Sequence, residues 1–219
     1  MGVADEEEIL QDQVWVICRE CQCIQLKKLI DHDVLYKKPH NPAIGKTWEA
    51  HNTAYAHFIN SLCDSSDSIL DIGGGNCRLA RQILKANKVK DYIIYDKHRY
   101  EGGLDIKFRD EFFNPETHQN EDNYNVIISS HFVEHMYDPQ AFAKCFHDNL
   151  PDGGLVIFSF PHITNILKDK LTSGFLSFEH TYQIDPDYLS QIMVQHGFVC
   201  EKSSSFSPYN SFMAFRKKG

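Results

Sequence analysis

At 219 residues, 42% hydrophobic and 24% charged, the chain has the size and composition of one globular domain with a real core. Its net charge of −8 argues against nucleic acid as the main partner, because phosphate binding needs a basic footprint. The longest apolar runs are strand-sized, which excludes an expected membrane span; the acidic start carries no secretory pattern, and seven scattered cysteines are no disulfide framework, so a reducing, cytoplasmic setting is expected.

In chain order, Val14 to Ile17 is expected to form a short strand, running into the cysteine cluster Cys18, Cys21 and Cys23. Pro39 to Pro42 marks a loop. Between Thr47 and Leu62 the apolar residues Trp48, Ala54, Tyr55, Phe58, Ile59 and Leu62 recur at helical spacing, which predicts an amphipathic helix. A polar turn follows, then the buried strand Ser68 to Ile72, the turn Gly73-Gly74-Gly75, and a helix from Cys77 to Ala86. Tyr92 to Tyr95 is a strand ending at Asp96. Leu104 to Phe108 is a weaker strand and Tyr124 to Ser129 a strong one. Pro139 to Leu150 is helical, and Pro151-Asp-Gly-Gly154 turns into the strand Leu155 to Phe160. Pro186 to His196 is a helix stopped by Gly197, and two strands close the chain, Phe198 to Ser203 and Ser211 to Phe215. Strands alternating with helices imply a parallel sheet covered on both faces.

In such a sheet a ligand lies beyond the carboxyl ends of the strands. The glycines after Asp71 let the backbone approach it closely, and the next helix aims its N-terminus there. Asp96, with Lys97 beside it, closes the second strand, where a carboxylate can accept from a ribose diol. Asp110 follows the third strand, where a side chain can meet a base edge. Arg78 stands where a nicotinamide-binding turn carries its last glycine, which disfavours an oxidoreductase.

Three further segments narrow the reading. Ser68 to Gly75 resembles the first cofactor motif of class I S-adenosylmethionine (SAM)-dependent methyltransferases. Tyr124 to Pro139 resembles their fourth-strand motif, and Leu150-Pro-Asp-Gly-Gly154 their turn before the fifth strand. The resemblance runs from Thr47 to the C-terminus and implies a Rossmann-like α/β fold, with a mainly parallel seven-stranded sheet, at 47–219 behind an extension at 1–46. It departs at Cys77, where many members have a third glycine. It implies SAM as cofactor, with Asp71 and Gly73 to Gly75 along its methionine part, Asp96 on the ribose, Asp110 flanking the adenine, and His131 near the sulfonium. Trp48 and His51, on the helix over this site, are candidate lid residues.

Cys18 to Leu26 resembles the second knuckle of the zinc module in sugar C-methyltransferases, and Thr47-Trp-Glu-Ala-His51 the segment that follows it. A structural zinc needs four ligands, and no second cysteine pair is present, so no metal is expected within one chain. His131-Phe-Val-Glu134-His135 also fits a zinc-protease pattern. That pattern works on a helix, whereas here it straddles a strand end, so Glu134 and His135 are expected to tie the loop to the next helix.

Leu176 to Tyr182 resembles the acceptor-side segment of sugar C-methyltransferases and related carbohydrate O-methyltransferases. Its full Tyr-His-Glu-His form is absent, because Ser177 and Phe178 fill the first two places. A hydroxyl acceptor, which needs only a base for its proton, is therefore expected over carbon. His180, with Glu179, is the first candidate base, and His162 the second. The expected activity is methyl transfer from SAM to a sugar or glycan hydroxyl. The alternatives are a methyltransferase acting on another small molecule or a protein, and a non-catalytic SAM-binding partner subunit.

Overall fold

The computed structural model describes residues 11–37, 44–86, 89–98, 106–171 and 175–219. An antiparallel hairpin comes first, β1 (Trp15–Ile17) and β2 (Ile24–Leu26), followed by a one-turn helix α1 (His32–Leu35) capped by Asp31, whose side chain accepts from Asp33 N. Helix α2 (Lys46–Asn60) leads into β3 (Ser68–Ile72), α3 (Arg78–Ala86), β4 (Asp91–Tyr95), β5 (Lys107–Arg109) and β6 (Val126–Ser130). After a single 3-10 turn, Val133–His135, come α4 (Pro139–Asn149), β7 (Leu155–Pro161), α5 (Ile163–Lys168), β8 (Tyr182–Gln183), α6 (Pro186–Gln195), β9 (Phe198–Ser207) and β10 (Asn210–Lys217).

The main sheet has the order β5-β4-β3-β6-β7-β10-β9. Its first five strands are parallel, while β10 runs antiparallel to both β7 and β9. The expected seven-stranded, mainly parallel sheet is therefore present. Leu104 and Asp105, the start of the weaker predicted strand, lie outside the described residues. Two helices missing from the sequence reading, α1 and α5, are short, so each offers too few turns to display a period.

Strand residues alternate between two cores. Ile69, Ile94, Ile128 and Ile157 pack with Tyr55, Ile59 and Ile83 of α2 and α3. Leu70, Ile93, Ile127 and Phe158 pack with Phe142, Phe146, Leu189 and Met193 of α4 and α6. Both α4 and α6 start on an Asp-Pro pair whose aspartate, Asp138 or Asp185, accepts from backbone N–H groups of the first turn. Tyr55, fully buried, holds α2 against the sheet: its hydroxyl lies 2.8 Å from the carbonyls of both Ser129 and Ile157. That contact ties α2 to β6 and β7 on one face of the sheet.

The N-terminal hairpin is joined to the rest by backbone. Strand β2 pairs with β8, matching Ile24 to Gln183 and Gln25 to Tyr182. Cys23 is buried in the α4/α6 core. No helix among the described residues is long and apolar enough to cross a membrane.

Candidate functional site

A cavity of about 1130 Å³ opens at the carboxyl ends of β3, β4 and β6. At one end lie Asp71, Gly73, Gly74 and Asp96; at the other lie Glu134, His135, Glu179 and His180.

The first end is built mostly from backbone. A Cβ on Gly74 would come within 2.2 Å of the Asp71 carboxylate, and one on Gly75 within 2.2 Å of the His98 carbonyl. Gly73 has φ +81°, in the left-handed region that glycine tolerates. Cys77 adopts φ +54°, so the departure from the usual glycine keeps the glycine backbone at some strain. Asp96 Oδ2 accepts from Gly75 N and Oδ1 from His98 N, each at 2.8 Å. Burial nevertheless lifts the Asp96 carboxyl above its ordinary range. Asp71 is deeper still. Burial raises it to about 7, against the Tyr92 hydroxyl that donates to Oδ2 at 2.8 Å.

Asp71, Gly73, Gly74, Asp96, Lys97, His131 and Trp48 all line the cavity. Other expected residues lie outside the lining. Gly75 lies just behind it, shaping the Asp96 bond. Asp110 is exposed and outside the lining; the chain turns after β5, and Glu111, Phe112 and Phe113 face the space instead. His51 is buried behind the wall rather than over a lid, with Nε2 2.8 Å from Ser159 Oγ, and burial pushes its imidazole down to about 4. His162 does not line the cavity, because β7 runs on to Pro161 and the chain turns into α5 there.

His131 connects the two ends. It adopts φ +52°, and its ring sits 5.0 Å from Trp48 and 5.2 Å from His51. Its Nε2 accepts from Asn210 Nδ2 at 2.7 Å, which leaves Nδ1–H to donate to Glu134 Oε1 at 3.1 Å. Burial alone would raise the Glu134 carboxyl. The hydrogen bond from His131 and the neighbouring His131, His135 and His180 instead hold it down to about 2.

The far end is assembled from distant segments. Thr181 N and its hydroxyl bond to the carbonyls of Glu134 and Met136, and Leu26 N of β2 bonds to Thr181 O at 2.8 Å. This pulls His180 against the 3-10 turn, with its ring 5.0 Å from that of His135. His180 Nδ1 lies 2.9 Å from the Phe175 carbonyl; only a protonated Nδ1 can bond there, so the lone pair is on Nε2. One ligand atom each from Glu134, His135 and His180 lies within 4.8 Å of the others. Glu134 and His135 thus belong to the cavity, not merely to the loop's attachment. The sequence carried the signal, the Glu-His pair of the H-x-x-E-H string, but the third member sits 45 residues later and only the fold delivers it. Helix α1 adds Asp31, His32 and Tyr36 to the wall, with the Tyr36 hydroxyl 3.2 Å from His135 Nδ1.

Of the cysteine cluster, Cys23 turns inward, and burial raises its thiol to about 12. Cys21 is exposed. Cys18 shares a side-chain hydrogen bond with Cys21, and Tyr188 bonds to both Cys21 and Cys23.

A family described as a methyltransferase domain matches residues 47–203. No curated protein matches the sequence. Solved structures share the fold at low identity. A protein from Listeria monocytogenes described as a SAM-dependent methyltransferase is 15% identical, with a TM-score of 0.60 over 80% of this chain and 100% of its own. A SAM-dependent methyltransferase from Mesorhizobium loti is 14% identical, with a TM-score of 0.59 over 75% and 98%. Phosphoethanolamine N-methyltransferase 2 of Haemonchus contortus, in complex with SAM, is 13% identical, with a TM-score of 0.61 over 77% and 52%.

Proposed function

We propose, for a chain that belongs to the class I SAM-dependent methyltransferases, that the methyl group goes to a hydroxyl of a sugar or glycan. The carrying observation is one cavity with two chemically different ends. At about 1130 Å³ it exceeds the ~300–1,000 Å³ of an ordinary small-molecule site, leaving room for donor and acceptor together. The residues fit the cofactor: the glycine turn holds open a cradle that a Cβ would fill, and two buried carboxylates, Asp71 and Asp96, face it.

SAM supplies an electrophilic methyl group on a sulfonium. Asp96 would hold the ribose hydroxyls, Asp71 and the Gly73–Gly74 backbone would flank the amino-acid part, and His131 with Trp48 would close the space near the reacting carbon. The acceptor lies between Phe112, His32 and Tyr36 on one side and Phe175 and His180 on the other. Aromatic faces suit the apolar face of a sugar ring, and Asp31, Asp33 and Glu111 offer acceptors for its hydroxyls. As the acceptor oxygen bonds to the methyl carbon, the carbon–sulfur bond breaks with its electron pair going to sulfur. The hydroxyl proton passes to His180, whose Nε2 carries a lone pair, and Glu179 stands beside it. Alignment of the two ligands supplies most of the rate. The seven free thiols accord with a reducing, cytoplasmic setting.

Calorimetry with S-adenosylhomocysteine tests the donor side, with one site per chain expected and none for NAD or NADP. Labelled methyl transfer to a panel of sugars and oligosaccharides tests the acceptor. Transfer only to proteins or non-carbohydrate small molecules would overturn the sugar assignment, and SAM binding with no transfer at all would make the chain a partner subunit.

A further inference from the structure

We propose that Glu134, His135 and His180 bind one divalent transition-metal ion at the acceptor end of the cavity, and that the acceptor hydroxyl coordinates it. The ion's binding stands on the geometry alone; its part in the reaction rests on the methyl-transfer reading above.

Three observations converge. The three ligand atoms lie within 4.8 Å of one another. An ion bonded at about 2.0–2.2 Å holds tetrahedral ligands roughly 3.3–3.6 Å apart, so shifts of about 1 Å per side chain close the set. Next, Glu134 is 2% exposed, and its Oε2 has no hydrogen-bond partner among the described residues. A buried carboxylate oxygen left without a donor calls for a positive partner, and His131 occupies only Oε1. Finally, each ligand already has an outer partner that fixes its orientation, as metal ligands do. His180 Nδ1 donates to the Phe175 carbonyl at 2.9 Å, His135 Nδ1 meets the Tyr36 hydroxyl at 3.2 Å, and Glu134 Oε1 accepts from His131.

The donor set names the ion class. Magnesium and calcium take oxygen ligands, whereas two imidazoles and one carboxylate suit zinc, manganese or iron in the divalent state. All three side chains face the cavity, so the remaining coordination positions open toward the acceptor. There an ion lowers the pKa of a bound hydroxyl. In this form His180 acts through the ion rather than directly. The hydroxyl proton leaves to water, the oxygen bonds to the methyl carbon, and the carbon–sulfur pair goes to sulfur.

The test titrates the chelator-dialysed full chain with Mn²⁺ and Zn²⁺, the zinc arm in a Cys18→Ser/Cys21→Ser background that silences the outer thiols. One ion per chain is expected. In His180→Ala and in Glu134→Gln affinity should fall at least ~100-fold, beyond the 10–100-fold that losing an outer partner brings, with S-adenosylhomocysteine affinity unchanged as proof of folding. No saturable site, or equal binding in both variants, overturns the proposal. Full turnover by the chelated chain overturns the ion's part in the transfer and leaves His180 acting directly on the hydroxyl. Loss of S-adenosylhomocysteine binding in every form would sink the methyl-transfer reading instead, leaving the ion site to its titration.

Discussion

The two ends of the cavity are built by opposite means. At the donor end, residues 71 to 75 and Asp96 come from two adjacent parallel strands, and the working groups are largely backbone: a turn held open by glycines, with two N–H groups fixed on Asp96. At the acceptor end the working groups are side chains from three separated segments. Glu134 and His135 come from the turn after β6, His180 from the approach to β8, and Tyr36 from α1. The N-terminal hairpin binds to β8 by backbone pairing, so it reaches the acceptor end and leaves the donor end alone. A donor shared by a whole family asks for a fixed backbone cradle, while an acceptor particular to one member can be met by side chains grafted around it.

The sharpest way to break this division is His180→Ala. Turnover should fall by about 10²–10⁴-fold, whether the imidazole meets the hydroxyl itself or through an ion, with S-adenosylhomocysteine affinity nearly intact. Because His180 is only partly buried, the fold should survive. A variant that keeps near-normal turnover at saturating acceptor would remove His180 from the chemistry.

Asp96→Ala probes the other end. Charge-assisted hydrogen bonds are worth about 1.5–3 kcal/mol, so S-adenosylhomocysteine affinity should weaken roughly 10- to 150-fold. Acceptor KM should change little. If calorimetry finds unchanged affinity in a folded variant, Asp96 serves only its bonds to Gly75 and His98, and the ribose lies elsewhere.

A third test concerns the wall between the ends. Burial holds His51 near 4, whereas an unfolded histidine titrates near ~6.5. The unfolded chain therefore takes up the proton first as pH falls. The contribution is fully present above about pH 6.5 and is lost as pH drops toward 4, with a slope of up to ~1.4 kcal/mol per pH unit. Urea denaturation across that window should show the slope, and His51→Gln should reduce it. An unchanged slope would mean that the His51 ring is solvated.

Much of this protein was legible in the sequence because it is local. Strand Ser68–Ile72 and the glycine turn after it follow from adjacent residues, as do the Asp-Pro starts of α4 and α6, since a buried parallel strand, a positive φ and a helix cap each depend on a few neighbours in the chain. Asp71 and Asp96 could be placed on one wall for the same reason: one lies at the end of β3, the other follows β4, and parallel strands end together. The acceptor end was not. Asp110 was placed one residue away from the wall because a strand's last residue and the direction of the next turn are set by packing, not propensity. The approach of Glu134 and His135 to His180 depended on Thr181 bonding to the 3-10 turn, a contact across 47 residues, and on a hairpin pairing with β8 across some 160. Local sequence fixed the backbone cradle through short-range sterics and hydrogen bonding. Only the folded chain decided which side chains meet across the cavity, because those meetings depend on long-range strand pairing.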